Sequence, residues 1–386
     1  MDNKKKIATK IIWAIFLYAL LLIIAIYVLL NNGTGLYYLG NLYLHLNLNN
    51  KAIGCYERLM ESDSRKPEIH YSLGKAYENV GERDKAISQF QKAVQMNPGY
   101  TDAYILLGWC YYKKEMFSAA KSVLEKAIEC EPKDANPYYY LGIIHEKEGQ
   151  TSTAIDYYKY AINLNPKYNS DIYVYLGNCY DKLGDREKSI LEYNKALKLK
   201  SNGAGIYYNI GLAYYKLGNK QKAIEYLEKA VKLEKDFSEA NCLLGLIYAI
   251  NDRHSTAIFY FNRVIESDPN YDEIYFSLAL SYGKLRNYTE AIEAFKKAID
   301  KKPGFIDAYL KLSQCYCYIG QYNEAKKVCF DVLEIEKDRN DIHYNLGLIY
   351  LLLEDKYSAL NEYETLKHKD ISLAEKLKTE IDRCYK

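Results

Sequence analysis

The residues best able to do chemistry in this chain are nine cysteines, six histidines and fifty carboxylates. Clustered, they would bind a metal ion or build a nucleophilic or redox site. Their spacing argues otherwise. Cys110, Cys179 and Cys315 occupy equivalent slots in which Ala76 and Ala213 also stand, and Cys130 shares a slot with Leu164 and Leu199. They read as small buried hydrophobes. Cys315-Tyr-Cys317 is not a CxxC pair. His70 and His343 stand where Tyr104, Tyr138 and Tyr207 stand, and His145 takes the slot of Tyr77, so they read as packing residues. No glycine-rich phosphate loop, GxSxG, HExxH or calcium-loop pattern occurs. These residue types and spacings give no constellation for catalysis, for a metal or for a cofactor.

The element that positions these slots is a period of 34 residues. Residues 67–100 read PEIHYSLGKAYENVGERDKAISQFQKAVQMNPGY, with Gly74, Tyr77, Ala86, Phe90, Ala93 and Pro98 as landmarks. Gly40, Gly74, Gly108, Gly142, Gly177, Gly211, Gly245 and Gly347 carry the period, with Ala279 and Ser313 in two of its slots; one step is 35. Twelve residues after each stands Ala52, Ala86, Ala120, Ala154, Ser189, Ala223, Ala257, Ala291, Ala325 or Ala359. Tiny side chains at both positions predict two helices in close approach, with Tyr77, Phe90 and their equivalents packed beside the contact. A fixed period of this length marks a solenoid of helix pairs.

With these landmarks the chain resembles the tetratricopeptide repeat family over roughly nine-tenths of its length. The resemblance implies an all-α, right-handed superhelical solenoid of about ten helix pairs, with starts near 33, 67, 101, 135, 170, 204, 238, 272, 306 and 340. It implies a concave groove, lined by the first helix of each pair, that holds a protein or peptide partner. It also implies a binding module, not an enzyme. The chaperone-tail-binding members use a lysine at the fifth position of the first helix; no fifth position here is lysine, which disfavours that ligand class.

Outside the repeats, residues 1–10 form a basic tail. Residues 11–30 carry no charge and are long enough to span a bilayer as a signal-anchor helix. Four lysines precede that segment, and residues 31–50 contain one histidine and no lysine or arginine. The positive-inside rule therefore predicts a single-pass membrane protein with a cytoplasmic N-terminus and extracytoplasmic repeats, a cytoplasmic repeat domain being the alternative. Ten repeats occupy 31–370. Residues 371–386, with Ile371, Leu373, Leu377 and Ile381 at helical spacing, form a capping helix. Prolines 98, 132, 166, 269 and 303 end second helices, and Gly81, Gly149, Gly184, Gly218 and Gly320 mark turns within pairs.

A net charge of +2 gives no reason to invoke nucleic acid, and no small-molecule substrate or metal is implied. In the groove implied by the resemblance, the fifth and ninth positions of the first helices supply the candidate partner-binding residues. These are Trp109, Tyr139, Tyr208, Leu212, Cys242, Leu246, Phe276, Leu280, Leu310, Tyr344 and Leu348. A row of lysines at the thirteenth position includes Lys113 and Lys182. The inner face is expected to be most apolar in repeats seven to ten and free of core duty. The functional expectation is a membrane-anchored scaffold for a partner protein or extended peptide. A component of an envelope-assembly or secretion complex is the first alternative, and an enzyme subunit with a site formed across repeats the second.

Overall fold

A computed structural model describes Leu17 and residues 34–62, 65–200 and 203–385. The described chain is helical throughout and divides into two compact units, residues 1–199 and 200–386. In the first unit the helices are α1 (Thr34–His45), α2 (Asn49–Ser62), α3 (Pro67–Asn79), α4 (Arg83–Met96), α5 (Thr101–Lys113), α6 (Phe117–Cys130), α7 (Ala135–Lys147), α8 (Thr151–Leu164), α9 (Asp171–Lys182) and α10 (Arg186–Leu199). In the second they are α11 (Ala204–Lys216), α12 (Lys220–Leu233), α13 (Ser238–Ile250), α14 (His254–Ser267), α15 (Asp272–Lys284), α16 (Tyr288–Lys301), α17 (Ile306–Tyr318), α18 (Tyr322–Ile335), α19 (Asn340–Leu352), α20 (Lys356–Lys369) and α21 (Ile371–Cys384). Within each unit every helix packs on the next in sequence. Each unit thus holds five of the expected pairs, and the second ends on α21.

The close approach within a pair has a more specific form than two small residues touching. A Cβ placed on Gly74 would meet the Phe90 ring at 2.7 Å, and one on Gly108 would meet Leu124 Cγ at 2.7 Å. The residue sixteen places after the glycine drives its ring or branch onto the bare backbone. Phe90, Leu124, Tyr158, Leu227 and Phe261 are all fully buried there. The alanines twelve places on are buried as expected, and Ser189 with them. Where Ser313 replaces the glycine, its hydroxyl donates to the Ala325 carbonyl at 3.1 Å, so the polar atom is satisfied in the core.

When that ring is tyrosine, its hydroxyl needs a partner. Tyr56 donates to Asn41 Oδ1 at 2.6 Å and Tyr193 to Asn178 Oδ1 at 2.7 Å. Both asparagines sit at the ninth position. Repeat four has Ile143 there, and its Tyr158 donates instead to Glu146 Oε2 at 3.1 Å.

All ten turns within pairs share one backbone conformation. The fifteenth residue of each repeat has positive φ. Gly81, Gly149, Gly184, Gly218 and Gly320 do so between 76° and 84°, and Asn47, Glu115, Asp252, Arg286 and Glu354 between 57° and 62°. Tertiary packing imposes the left-handed turn where no glycine announces it. The exits whose residues are described behave alike. Glu234 and Glu336, with no proline nearby, take the same extended conformation after their helices as Asn97 does before Pro98. The extra residue of repeat four is absorbed in the loop before α9, where Asn169 Oδ1 accepts from the Ile172 amide at 2.9 Å.

Three expectations need correction. The longest described helices have fourteen residues, about 21 Å at ~1.5 Å per residue, short of the ~30 Å bilayer core. Among the described residues no helix is long and apolar enough to cross a membrane. Over the described residues the architecture is therefore corrected to an all-helical repeat array that includes no transmembrane helix, and the expected preceding span and the single-pass localisation that rested on it are not supported. The expected span at 11–30, Leu17 apart, and the basic tail at 1–10 lie outside the described residues. Cys130 is exposed and its thiol donates to the Pro98 carbonyl at 3.2 Å; it ends α6, where the core no longer covers it. Ile371 is also exposed, because it opens α21 before the helix reaches its neighbours, and Ala374 joins Leu377 and Ile381 in the buried stripe.

Candidate binding faces

The first helices of each unit present the fifth, ninth, twelfth and thirteenth positions on one face. In the first unit the fifth position forms the joint between successive repeats. The Tyr71 ring lies 4.9 Å from Tyr100, and Tyr139 lies 5.4 Å from Tyr168. Tyr100 and Tyr168 come 29 residues later, in the loop that leads into the next repeat. Tyr139 is buried by this contact, so it has core duty after all.

Trp109 sits at the ninth position of α5, half-buried. Its ring stacks on Tyr112 and tilts against Tyr140, with both centroids 5.4 Å away. The indole N–H donates to Glu78 Oε1 at 3.3 Å. Lys113, one turn on, holds its ammonium 4.4 Å from the ring centroid, a cation–π contact. Beyond Tyr112 the wall continues through Tyr175, whose ring stacks on Tyr158 and lies 6.0 Å from both Tyr158 and Tyr139.

Glu146, on α7, is the second carboxylate of this wall. It accepts from the Tyr158 hydroxyl and pairs with Lys182 Nζ at 2.6 Å. Its side chain is 14% exposed against 53% for Lys182. Burial pushes the hydroxyls of Tyr112 and Tyr175 up, and the Glu146 charge adds to both. Burial also raises Tyr140, with Glu78 adding to it. Sequence reasoning singled out Trp109 and missed Glu78, Tyr112, Tyr140, Glu146 and Tyr175. The signal was available as the run of twelfth-position residues Glu78, Tyr112 and Glu146, which a scan of the fifth and ninth positions passes over.

In the second unit the joint is the same. Tyr208 packs 5.2 Å from Phe237 and Phe276 4.5 Å from Phe305. Cys242 replaces the ring and engages Tyr271, and burial raises its thiol. Leu212, Leu246 and Leu310 are half-buried and pack onto the core of the unit. Tyr344 and Leu348 pack with α21 around Leu377 and Ile381. Of the leucines named from the sequence, Leu280 is the one that stands open, 37% exposed. On the other first helices of this unit from α13 on, the thirteenth-position side chains Ile250, Tyr318 and Leu352 are open, at 54%, 68% and 50%, while Lys284 holds that slot on α15.

Between α17 and α19 this face holds a shallow cavity of about 320 Å³. Leu348, Ile349, Leu352 and Cys317 give it apolar walls, and Ser313, Gln314, Tyr318 and Asn345 give it neutral polar groups. No charged side chain lines it. The Tyr318 ring is held from outside the cavity by stacking on Tyr288 at 4.7 Å.

The three histidines singled out from the sequence have packing partners. His70 Nδ1 meets Gln89 Oε1 at 2.7 Å, His343 Nδ1 meets Glu362 Oε2 at 2.7 Å, and His145 stacks on Tyr157. Among the described residues no group of three or more His, Cys, Asp or Glu side chains is placed to hold a metal ion.

Comparison with known proteins agrees with the period. Models described as TPR repeat or tetratricopeptide repeat match residues 40–81, 80–141, 135–168 and 284–349. A model described as the N-terminal ARM repeat of tetratricopeptide repeat protein 21 matches 180–315. No curated protein matches. The solved C-terminal part of a TPR repeat-containing protein from Cytophaga hutchinsonii is 20% identical with a TM-score of 0.54, covering 63% of this chain and 99% of its own. MamA is 29% identical over 44% of this chain and 92% of its own, with a TM-score of 0.41. YrrB, described as a TPR protein with an unusual peptide-binding site, is 26% identical over 48% of this chain and 95% of its own, with a TM-score of 0.43. The 34-residue period, the glycine-on-ring contact repeated along both units and the family models together place the chain in the tetratricopeptide repeat family.

Proposed function

We propose that the protein is an interaction scaffold that holds a partner protein or extended peptide on the first-helix faces of its units, and that it is not an enzyme. One observation carries this reading. In the second unit Ile250, Leu280, Tyr318 and Leu352 stand open on successive first helices, and Tyr318 and Leu352 line an uncharged cavity. Exposed apolar side chains gathered on one face of an otherwise charged surface mark a contact surface. The cavity offers walls for an aliphatic side chain and amides for a peptide backbone.

The test is Leu280→Asp combined with Leu352→Asp in the full chain, followed by recovery of partners from native extract. Both side chains are exposed, so helix content and melting stay unchanged. Leu246 is a poor site for the same test, because it packs onto the core and aspartate there would cost stability. Loss of partners recovered by the parent chain is the expected result. Recovery unchanged by the double variant would reject this face.

A further inference from the structure

The wall around Trp109 in the first unit differs in kind from the neutral cavity of the second. Its rings offer π faces, and its carboxylates, Glu78 and Glu146, are the charges drawn furthest into it. The cations already present, Lys113 over Trp109 and Lys182 on Glu146, are held from the solvent side. Exposed contacts of this sort are weak, about 0–1 kcal/mol for the ion pair and about 0.5–1 kcal/mol for the ring contact. The wall therefore binds cations, and holds its resident ones loosely.

We propose that this part of the face takes an arginine side chain of the partner, its guanidinium stacked on the Trp109 ring in place of the Lys113 ammonium that now sits over it, and its charge met by Glu78 and Glu146. The inference deepens the scaffold reading and rests on it. Arginine fits better than lysine because a planar guanidinium stacks on a ring and bonds a carboxylate in two places at once, where an ammonium is a point charge. An apolar side chain would desolvate both carboxylates without compensation, and an anion or nucleic-acid phosphate would be repelled by them.

The experiment uses the full chain with Trp13→Phe, which leaves Trp109 as the one indole. Three peptides of otherwise uncharged sequence, alike except for a central arginine, lysine or citrulline, are titrated while Trp109 fluorescence is read. Citrulline keeps the shape of arginine without the charge. The arginine peptide should saturate the signal, and citrulline should bind about tenfold more weakly, the loss expected for charge-assisted hydrogen bonds. Glu146→Gln, which keeps an acceptor for the Tyr158 hydroxyl, should remove that preference for arginine. Lys182→Ala should tighten the arginine peptide about two- to fivefold, because an exposed competitor worth under 1 kcal/mol has gone. A purely structural role for the Lys182–Glu146 pair predicts no gain. Equal binding of citrulline and arginine, or weaker binding in Lys182→Ala, would overturn the inference. If no peptide moves Trp109 while Leu280→Asp with Leu352→Asp still abolishes partner capture, this inference falls and the scaffold reading stands. If neither face responds, both fall.

Discussion

Leu377 of the terminal helix, not a residue of the second helix in its pair, covers Gly347. A Cβ on Gly347 would lie 2.7 Å from Leu377 Cδ1. In seven earlier repeats the glycine faces the residue sixteen places on, as Gly142 faces Tyr158. The equivalent Tyr363 is only half-buried. A single residue, Asp370, separates α20 from α21; it caps α21 by accepting from the Leu373 amide at 3.0 Å. That short link brings α21 early and lets it close the last pair.

Leu377→Ala should therefore act as a core truncation and cost about 2–5 kcal/mol. In a repeat array the loss is felt nearest the site. Hydrogen exchange should rise first in α19, α20 and α21, with α11 to α13 protected as before. A uniform rise across the second unit would contradict the local role of the cap.

The five left-handed turns without glycine hold a reserve of stability. A non-glycine residue there costs about 1–2 kcal/mol, partly offset by the greater freedom glycine has when unfolded. Glu115→Gly and Glu354→Gly should each stabilise by about 0.5–1 kcal/mol, read as a higher denaturation midpoint at constant slope. Gly184→Ala should do the opposite by about 1 kcal/mol.

Thiol reactivity should follow burial. Cys130 and Cys384 are exposed, Cys242 and Cys317 intermediate, and Cys55, Cys110, Cys179, Cys315 and Cys329 buried. A thiol-specific reagent at neutral pH should modify two quickly, two slowly, and the other five only in denaturant. Burial pushes Cys110 and Cys179 up to about 12 and Cys315 and Cys329 up to about 11, from an ordinary 9.0. The unfolded chain then loses these protons before the folded one does. Their contribution to stability is complete below pH ~9 and is lost as pH rises towards ~11–12. Urea melts at pH 8 and pH 10 should show the fall, and Cys315→Ala with Cys329→Ala should lessen it.

Adding bulk at the glycine-on-ring contact gives the sharpest test of the pair itself. A Cβ on Gly245 would already lie 2.5 Å from Phe261 Cδ1, a ring that is fully buried. Gly245→Leu should cost at least about 1–3 kcal/mol. Pairing it with Phe261→Ala should recover part of the loss, since the larger side chain then has somewhere to go. Additive losses would mean that the two residues do not share one space.

The sequence by itself determined the repeat. Glycine, alanine and a large apolar residue at fixed offsets admit one arrangement of two helices, so the pair boundaries near 67, 101 or 238 could be read directly. It determined that Cys110 and Cys179 would be buried, since alanine stands in their slot elsewhere. Other features waited on tertiary structure because they come from contacts far apart in the chain. Glu115 and Arg286 give no local sign of a left-handed turn; the packing of their helices forces one. Tyr139 and Phe276 looked like open groove residues, and became joints because Tyr168 and Phe305 fold back on them 29 residues later. Leu348 was named for a partner and meets the core of the cap, because one residue is all that links α20 to α21. Glu146 reads as one acid among fifty; only the fold sets it among the rings of Tyr112, Tyr158 and Tyr175, where lost solvent gives a carboxylate its weight.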